Sequence, residues 1–145
     1  MTIVIGSDHA GYEYKVFLIK KLEKWGHKVI DKGADSLDSV DYPDFAHPVA
    51  NELVDNKKVK FGVLICGSAN GVAMTANKHP KVRAAISWTN EIAKLARTHN
   101  NANILCVPAR FVNKRTAGSM LKYFLETPFE GGRHKRRVNK IACSC

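Results

Sequence analysis

The sequence has no apolar run approaching the ~18 residues that a membrane-spanning helix requires. The first residues lead directly into a strand-like segment at residues 2–5, so we expect no signal peptide. The chain has only four cysteines, and their spacing is not that of a disulfide framework: Cys66, Cys106, Cys143 and Cys145. We therefore expect a cytoplasmic protein whose thiols stay reduced.

Acidic residues are also few, since 13 Asp and Glu face 23 Lys and Arg, for a formal net charge of +10. This excess raises nucleic acid as a partner, and much of it lies in residues 57–60 and 133–140. Neither block is interleaved with aromatic residues, and the sequence shows no zinc-ligand or RNA-recognition pattern. Nucleic-acid binding stays as an alternative only, because a positive block fits a small phosphate ligand equally well.

The 145 residues are enough for one domain with a substantial core. Short, continuous apolar runs predict strands at residues 3–6, 28–31, 63–66, 83–87 and 104–107. Amphipathic segments alternate with them, around residues 14–25, from Pro43, from Thr89 and around residues 117–125. The alternation predicts a single-domain, doubly wound (Rossmann-like) α/β fold over residues 1–145, a five-stranded parallel sheet with helices on both faces. We expect residues 141–145 to form a mobile tail.

Ligands of such folds bind beyond the carboxyl ends of the strands. The third predicted strand ends at Cys66, and the loop that follows reads Gly-x-x-x-Gly. This loop lacks the Lys-Ser/Thr of a nucleotide P-loop and the third glycine of a dinucleotide fingerprint. Its free backbone N–H groups could face an anion and lower the pKa of Cys66, which would then act as a base or nucleophile. The alternative is a buried structural cysteine beside a tight turn.

Three further groups have both a functional and a structural interpretation. Asp8 and His9 follow the first strand. In the functional interpretation both side chains point into the crevice that holds Cys66; in the structural one Asp8 caps a helix and His9 is a surface histidine. His99 and Asn100 end the helix begun at Thr89, where simple capping is the alternative. Two arginines four residues apart share a helix face that suits a phosphate, or they belong to a solvated basic surface: Arg133 and Arg137.

The order of these groups is more specific than any one of them. The motifs "GSDHAG", "DYPDFA", "ICGSANG", "ANK", "HN" before "NILCVPAR", and "EGGRHKRRV" occur in this order. Together they resemble the motifs of ribose-5-phosphate isomerase type B, from Ile3 to about Ile141. This family also includes isomerases of allose 6-phosphate and galactose 6-phosphate.

The resemblance implies an aldose–ketose isomerase of ribose 5-phosphate and ribulose 5-phosphate that needs no metal or cofactor. In the family, a base at the position of Cys66 moves a proton from C2 to C1 through an enediolate, and a histidine at the position of His99 opens the sugar ring. The resemblance also implies that negative charge on the sugar oxygens is stabilised by backbone N–H groups of the loop, those of Gly67, Ser68, Ala69, Asn70 and Gly71, and that Ser68 lies at the reacting end of the sugar. Asp8 would bind sugar hydroxyls, and the phosphate would be bound by His9, Arg133 and Arg137. The pocket would be completed by Tyr42, Asn100 and Arg110. His99, Asn100 and Arg110 would come from a neighbouring subunit, which implies a homodimer or a tetramer with shared sites.

Two positions refine this resemblance. A subclass of the family replaces the cysteine by a glutamate just after the Asn-Gly of the loop, where this chain has Val72, so the chain resembles the cysteine type. Ala69 stands where glycine is common, and a positive φ there would cost on the order of 1 kcal/mol. An isomerase of a six-carbon sugar phosphate and a non-catalytic phosphate binder remain alternatives, and the resemblance implies no role for Cys143 or Cys145.

Overall fold

Five strands form one parallel sheet in the computed structural model, which describes residues 1–142. Their order across the sheet is β2-β1-β3-β5-β4, and their bounds are β1 Thr2–Ser7, β2 Lys28–Asp31, β3 Val59–Cys66, β4 Ala84–Ile86 and β5 Ile104–Pro108. The predicted five-stranded parallel sheet is confirmed. Cys143 and Cys145 lie outside the described residues, as does the predicted tail from residue 143 onward.

The strands differ from their predicted bounds mainly at β3, which begins at Val59 rather than Val63. Its first residues alternate, with Val59 and Phe61 buried and Lys60 exposed, and only the later ones are continuously buried. The continuous apolar run therefore marks the part of β3 that is covered on both faces, and not the whole strand.

In the described part of the chain, four α-helices connect successive strands and two more follow β5: α1 Tyr12–Lys24, α2 Pro43–Asp55, α3 Asn70–Ala76, α4 Asn90–Thr98, α5 Lys114–Glu126 and α6 Gly132–Val138. Pro43 opens α2, and the Thr89 side chain accepts a hydrogen bond from the Ile92 N–H at 3.2 Å, so both predicted helix starts are confirmed. In residues 1–142, no helix is both long enough and apolar enough to cross a bilayer.

The helices cover both faces of the sheet, as predicted. Leu18 of α1, Ala93 of α4 and Phe124 of α5 belong to the core on one face. Val49 of α2 and Ala73 of α3 belong to the core on the other face. Because each central strand is buried on both sides, its sequence is apolar without alternation.

The topology opens a crevice between β1 and β3. The chain leaves β1 toward α1 on one face and leaves β3 toward α3 on the other face, although the two strands are neighbours. Connections that diverge from adjacent parallel strands leave a gap beyond the carboxyl edge of the sheet, which is where doubly wound folds bind ligands.

Candidate active site

A cleft of about 330 Å³ lies in this crevice. β1, β3 and β5 are adjacent, so the residues that follow each strand meet there. The cleft is lined by Asp8, His9, Ala10, Tyr42, Cys66, Gly67, Ser68, Gly71 and Arg110. Eight residues predicted as site residues are thus brought together around one space, and Ala69 and Asn70 lie in the loop between Ser68 and Gly71.

Cys66 is the last residue of β3, and its side chain is held by the loop that follows. The residue is 5% exposed and lines the cleft. The Ala69 N–H donates a hydrogen bond to Cys66 Sγ at 3.1 Å. Ala69 has a φ of 64°, in the left-handed region, so this buried alanine adopts the conformation for which glycine is favoured. The tight turn directs a backbone donor at the sulfur.

The loop N–H groups do lower the pKa of Cys66, but the expectation of a lowered pKa overall is wrong for the isolated chain. Burial raises the pKa of the Cys66 thiol, and the nearby Asp8 carboxylate raises it further. The N–H groups of Val72, Ala69 and Ser68 act in the opposite direction without reversing the shift. Desolvation of the thiolate outweighs three amide donors because a buried charge loses all of its hydration.

Asp8 and His9 are both oriented by backbone contacts. Asp8 is 7% exposed, and its Oδ1 accepts the Gly11 N–H at 3.0 Å. Asp8 therefore both caps the following helical turn and lines the cleft, so the two interpretations apply together. His9 Nδ1 lies 3.2 Å from the Val40 nitrogen, whose N–H it accepts. A neutral His9 therefore carries its proton on Nε2. The role of Val40 was not predicted, since a backbone donor leaves no signal in the sequence.

Tyr42 reaches the cleft at the end of a long connection from β2. Residues 33 and 34 are tied to β1, because Gly33 O accepts the Ser7 N–H and the Ala34 N–H donates to Ser7 O, both at 2.7 Å. Asp31, which ends β2, accepts the Gly33 N–H at 2.9 Å and pairs with the buried Lys15. This anchoring fixes the direction from which the loop carries Tyr42 over the cleft.

Arg110 lies in the cleft of its own chain, which corrects the expectation that a neighbouring subunit supplies it. The β5 strand pairs directly with β3, and the Arg110 N–H donates to Gly67 O at 3.1 Å. A β-carbon added to Gly67 would come within 3.3 Å of the Arg110 side chain. The sequence could not show this, because β5 follows β4 along the chain but lies between β3 and β4 in the sheet.

Four predicted residues lie at the opposite edge of the sheet. His99 ends α4, which runs back from the carboxyl end of β4 to the amino end of β5. The Glu130 N–H donates to Thr98 O at 3.2 Å, which brings the start of α6 to the same place. Among the described residues, the lining of the cleft does not include His99, Asn100, Arg133 or Arg137.

The amino edge also holds two residues that were not predicted, His134 and Glu130. The His134 ring stacks on the His99 ring at 4.2 Å between centroids and 7° between planes. Ligand atoms of the two histidines and of Glu130 lie within 4.8 Å of one another, a set that could bind a metal ion. A signal was present in the sequence, since His134 and Val138 are four residues apart and are the two uncharged residues of the basic stretch 133–138.

Comparisons with known proteins agree with this architecture. The family model described as Ribose/Galactose Isomerase matches residues 3–141. The ribose-5-phosphate isomerase B of Mycolicibacterium paratuberculosis is 40% identical over 144 residues, which are 98% of this chain and 90% of that protein. A ribose 5-phosphate isomerase structure from Thermotoga maritima has a TM-score of 0.94 at 44% identity, over 97% of this chain and 96% of that chain. The Mycoplasma genitalium ribose-5-phosphate isomerase B, solved with bound ribulose-5-phosphate, has a TM-score of 0.93 at 42% identity, over 97% and 93% of the two chains.

Proposed function

The chain belongs to the ribose/galactose isomerase family, and we propose that it interconverts ribose 5-phosphate and ribulose 5-phosphate as an aldose–ketose isomerase. The observation that carries this proposal is the position of Cys66, a buried thiol that ends β3 and opens into a polar cleft between Asp8 and Arg110. A binding protein without turnover would not need a titratable thiol at the centre of its ligand site.

In this proposal, the Cys66 thiolate takes the proton from C2 of the open-chain aldose, and the electron pair moves toward O1 to give an enediolate. The Cys66 thiol then returns the proton to C1, while the hydroxyl proton passes from O2 to O1 and the carbonyl forms at C2, so that no atom is gained or lost. The Ser68 hydroxyl is exposed at the mouth of the cleft and hydrogen-bonds the reacting end of the sugar. Asp8 and Tyr42 bind the sugar hydroxyls, and Arg110 offsets negative charge on the oxygens.

Ribose 5-phosphate is mainly cyclic in water, so its ring must open before C2 loses a proton. We assign this step to His99, which donates a proton to the ring oxygen as the bond from C1 to that oxygen breaks, while the C1 hydroxyl loses its proton to water and becomes the aldehyde. His99 lies at the amino edge of the sheet and Cys66 at the carboxyl edge. The proposal therefore requires the partner's His99 and Asn100 to complete the cleft in a homodimer with shared sites.

Phosphate binding is assigned on the same basis. His9 lines the cleft and offers Nε2–H, while Arg133 and Arg137 are exposed on α6 beside His99. In a shared site, the two guanidinium groups come from the partner together with its His99. This arrangement also favours proton abstraction, because positive charge delivered by the partner stabilises the Cys66 thiolate that the isolated chain disfavours.

The experiment that tests the function is an isomerase assay on a panel of five- and six-carbon aldose phosphates. We expect turnover of ribose 5-phosphate with the highest kcat/KM of the panel. A higher kcat/KM for allose 6-phosphate or galactose 6-phosphate would assign the chain to the six-carbon branch of the family, and binding without turnover of any member would contradict the isomerase. We propose a cytoplasmic location for this reaction, since Cys66 and Cys106 are both free thiols.

A further inference from the structure

The contact between His99 and His134 is unusual in its geometry. The rings are nearly parallel, with 7° between their planes and 4.2 Å between their centroids. His134 is buried at 7% exposure and belongs to a helix whose other polar side chains are exposed. A histidine placed inside a helix of arginines and lysines, against another histidine, needs an explanation that phosphate binding by the exposed arginines does not supply.

His134 is held in place from two directions. Its Nε2 lies 3.5 Å from Glu130 Oε2, one helical turn earlier, and the Glu130 N–H donates to Thr98 O at 3.2 Å. Gly131 and Gly132 both have positive φ, at 70° and 51°, which turns the chain so that α6 comes back against the end of α4. The Thr98–His99 segment is thus bounded by a backbone hydrogen bond on one side and an imidazole face on the other.

A metal site is the first alternative, because His99, Glu130 and His134 form a possible ligand set. The lone pair of an imidazole nitrogen lies in the plane of its ring, so an ion bound to two histidines lies close to both ring planes. Two nearly parallel, stacked rings have no such common position. The observed arrangement supports a stack between rings and not shared coordination.

The charges around His134 favour its neutral form. Desolvation lowers the pKa of His134, and His99, Arg133 and Arg137 lower it further, against the opposing effect of Glu130. A neutral imidazole presents a negative π face, which attracts a protonated imidazole stacked on it. His134 can therefore hold the plane of the His99 ring.

We propose that His134 is a positioning residue for ring opening: its buried imidazole, held beside Glu130, fixes the orientation of the His99 ring. This inference rests on the proposed function, in which His99 is the ring-opening acid. It predicts an effect that depends on the form of the substrate. Ribose 5-phosphate must be opened, whereas ribulose 5-phosphate is acyclic because the oxygen that would close its ring bears the phosphate.

The test compares, for two His134 variants, the interconversion of the two sugar phosphates with the exchange of the C1 hydrogen of ribulose 5-phosphate with solvent. H134N removes the ring and keeps an N–H donor, whereas H134F keeps a ring face and removes the donor. We expect H134N to lower kcat for ribose 5-phosphate by about tenfold or more, a fraction of what a positioned acid contributes. H134F should keep most of this rate. Because a variant cannot change the equilibrium constant, kcat/KM must fall equally in both directions of interconversion, whereas exchange of the C1 hydrogen of ribulose 5-phosphate with solvent deuterium needs no ring step and should stay within about twofold of the wild-type rate in both variants.

A loss of hydrogen exchange equal to the loss of interconversion, or equal losses of interconversion for H134N and H134F, would overturn the proposal. Thermal unfolding of each variant identifies a folding defect. If a His134 variant is defective in folding, E130Q provides a second variant, because Glu130 is exposed and contacts His134. E130Q should show a smaller loss of interconversion with hydrogen exchange unchanged, and an equal loss of hydrogen exchange would count against the inference. The H99A variant distinguishes failure of the proposed function from failure of this inference. Near-normal turnover of ribose 5-phosphate by H99A would refute His99 as the ring-opening acid. An inactive H99A together with a fully active H134N would refute only the role of His134.

Discussion

The ring of Tyr42 lies directly over the α-carbon of Gly71, so closely that a β-carbon at residue 71 would come within 2.5 Å of Tyr42 Cζ. Gly71 belongs to the first turn of α3, where its φ does not require glycine. The residue is therefore small because of Tyr42 and not because of the backbone. This contact sets the width of the cleft between the connection from β2 and the loop after Cys66.

We expect G71A to displace the Tyr42 ring and lower kcat/KM for ribose 5-phosphate by about tenfold, because a shift of about 1 Å in a positioning group is costly. The matched experiment is a double-mutant cycle. G71A should have little further effect in a Y42A background, where the ring that it meets is gone. Independent, additive losses would show that Gly71 is required for another reason. Steady-state kinetics of the four proteins give the coupling.

C66A should lower isomerisation by about 10³-fold or more, as expected for loss of the proton-transfer base. The same variant should bind ribose 5-phosphate nearly as well as the wild type in calorimetry, because the phosphate contacts are elsewhere. C106A is the control, since Cys106 is a second buried free cysteine, in the neighbouring strand. Substantial turnover by C66A, or an equal loss in C106A, would rule out Cys66 as the base.

The surroundings of Cys66 within its own subunit raise the pKa of its thiol. Burial and the Asp8 carboxylate both raise its pKa, so D8N should lower that pKa and increase alkylation by iodoacetamide at neutral pH. Peptide mapping by mass spectrometry follows Cys66 separately from the other thiols. An unchanged or slower alkylation rate in D8N would show that Asp8 does not control this thiol.

The same shift has a consequence for stability. The folded pKa of Cys66 lies above its unfolded value of about 8.5, so the contribution to stability is complete below that value and is lost as pH rises through the folded pKa. Burial raises the pKa of Cys106 in the same direction. The free energy of unfolding in urea should fall in alkaline solution, and it should fall less in C66A than in the wild type.

R137A should raise KM for ribose 5-phosphate by roughly tenfold or more, because it removes a charge-assisted hydrogen bond to the phosphate. R136A is the matched control, since Arg136 is the adjacent, equally exposed residue of the same charge. Equal effects of the two variants would indicate a general electrostatic field. If R137A left KM unchanged and lost only a salt-sensitive affinity for oligonucleotides, the basic segment would bind nucleic acid instead.

Subunit mixing tests the shared site. C66A and H99A homodimers should each be nearly inactive on ribose 5-phosphate. A mixed dimer has one site with both defects and one site with neither, and random exchange of equal amounts places about half of the dimers in this form. About a quarter of the wild-type activity should therefore return. Exchange demonstrated by mass spectrometry of tagged subunits, without recovered activity, would mean that Cys66 and His99 act within one chain.

Local patterns were sufficient for much of the fold and for half of the site. Apolar runs identified all five strands, and in the central strands β1, β3 and β5 the run is largely continuous because a strand covered on both faces shows its burial in its own sequence. Each strand of a parallel sheet ends at the same edge, so the positions of Asp8, His9 and Cys66 around one cleft also followed from the sequence. These properties depend on residues that are close along the chain.

Only the tertiary structure decided the remainder. The insertion of β5 between β3 and β4 places Arg110 beside Gly67, and no short stretch of sequence records that order. Burial decides the direction of the Cys66 pKa, since desolvation depends on everything packed around the thiol. The stack of His134 on His99 and the separation of both from Cys66 likewise arise from how α4 and α6 lie on the sheet. Local sequence determines which residues end each strand, whereas strand order and packing determine which of those residues meet and in which charge state.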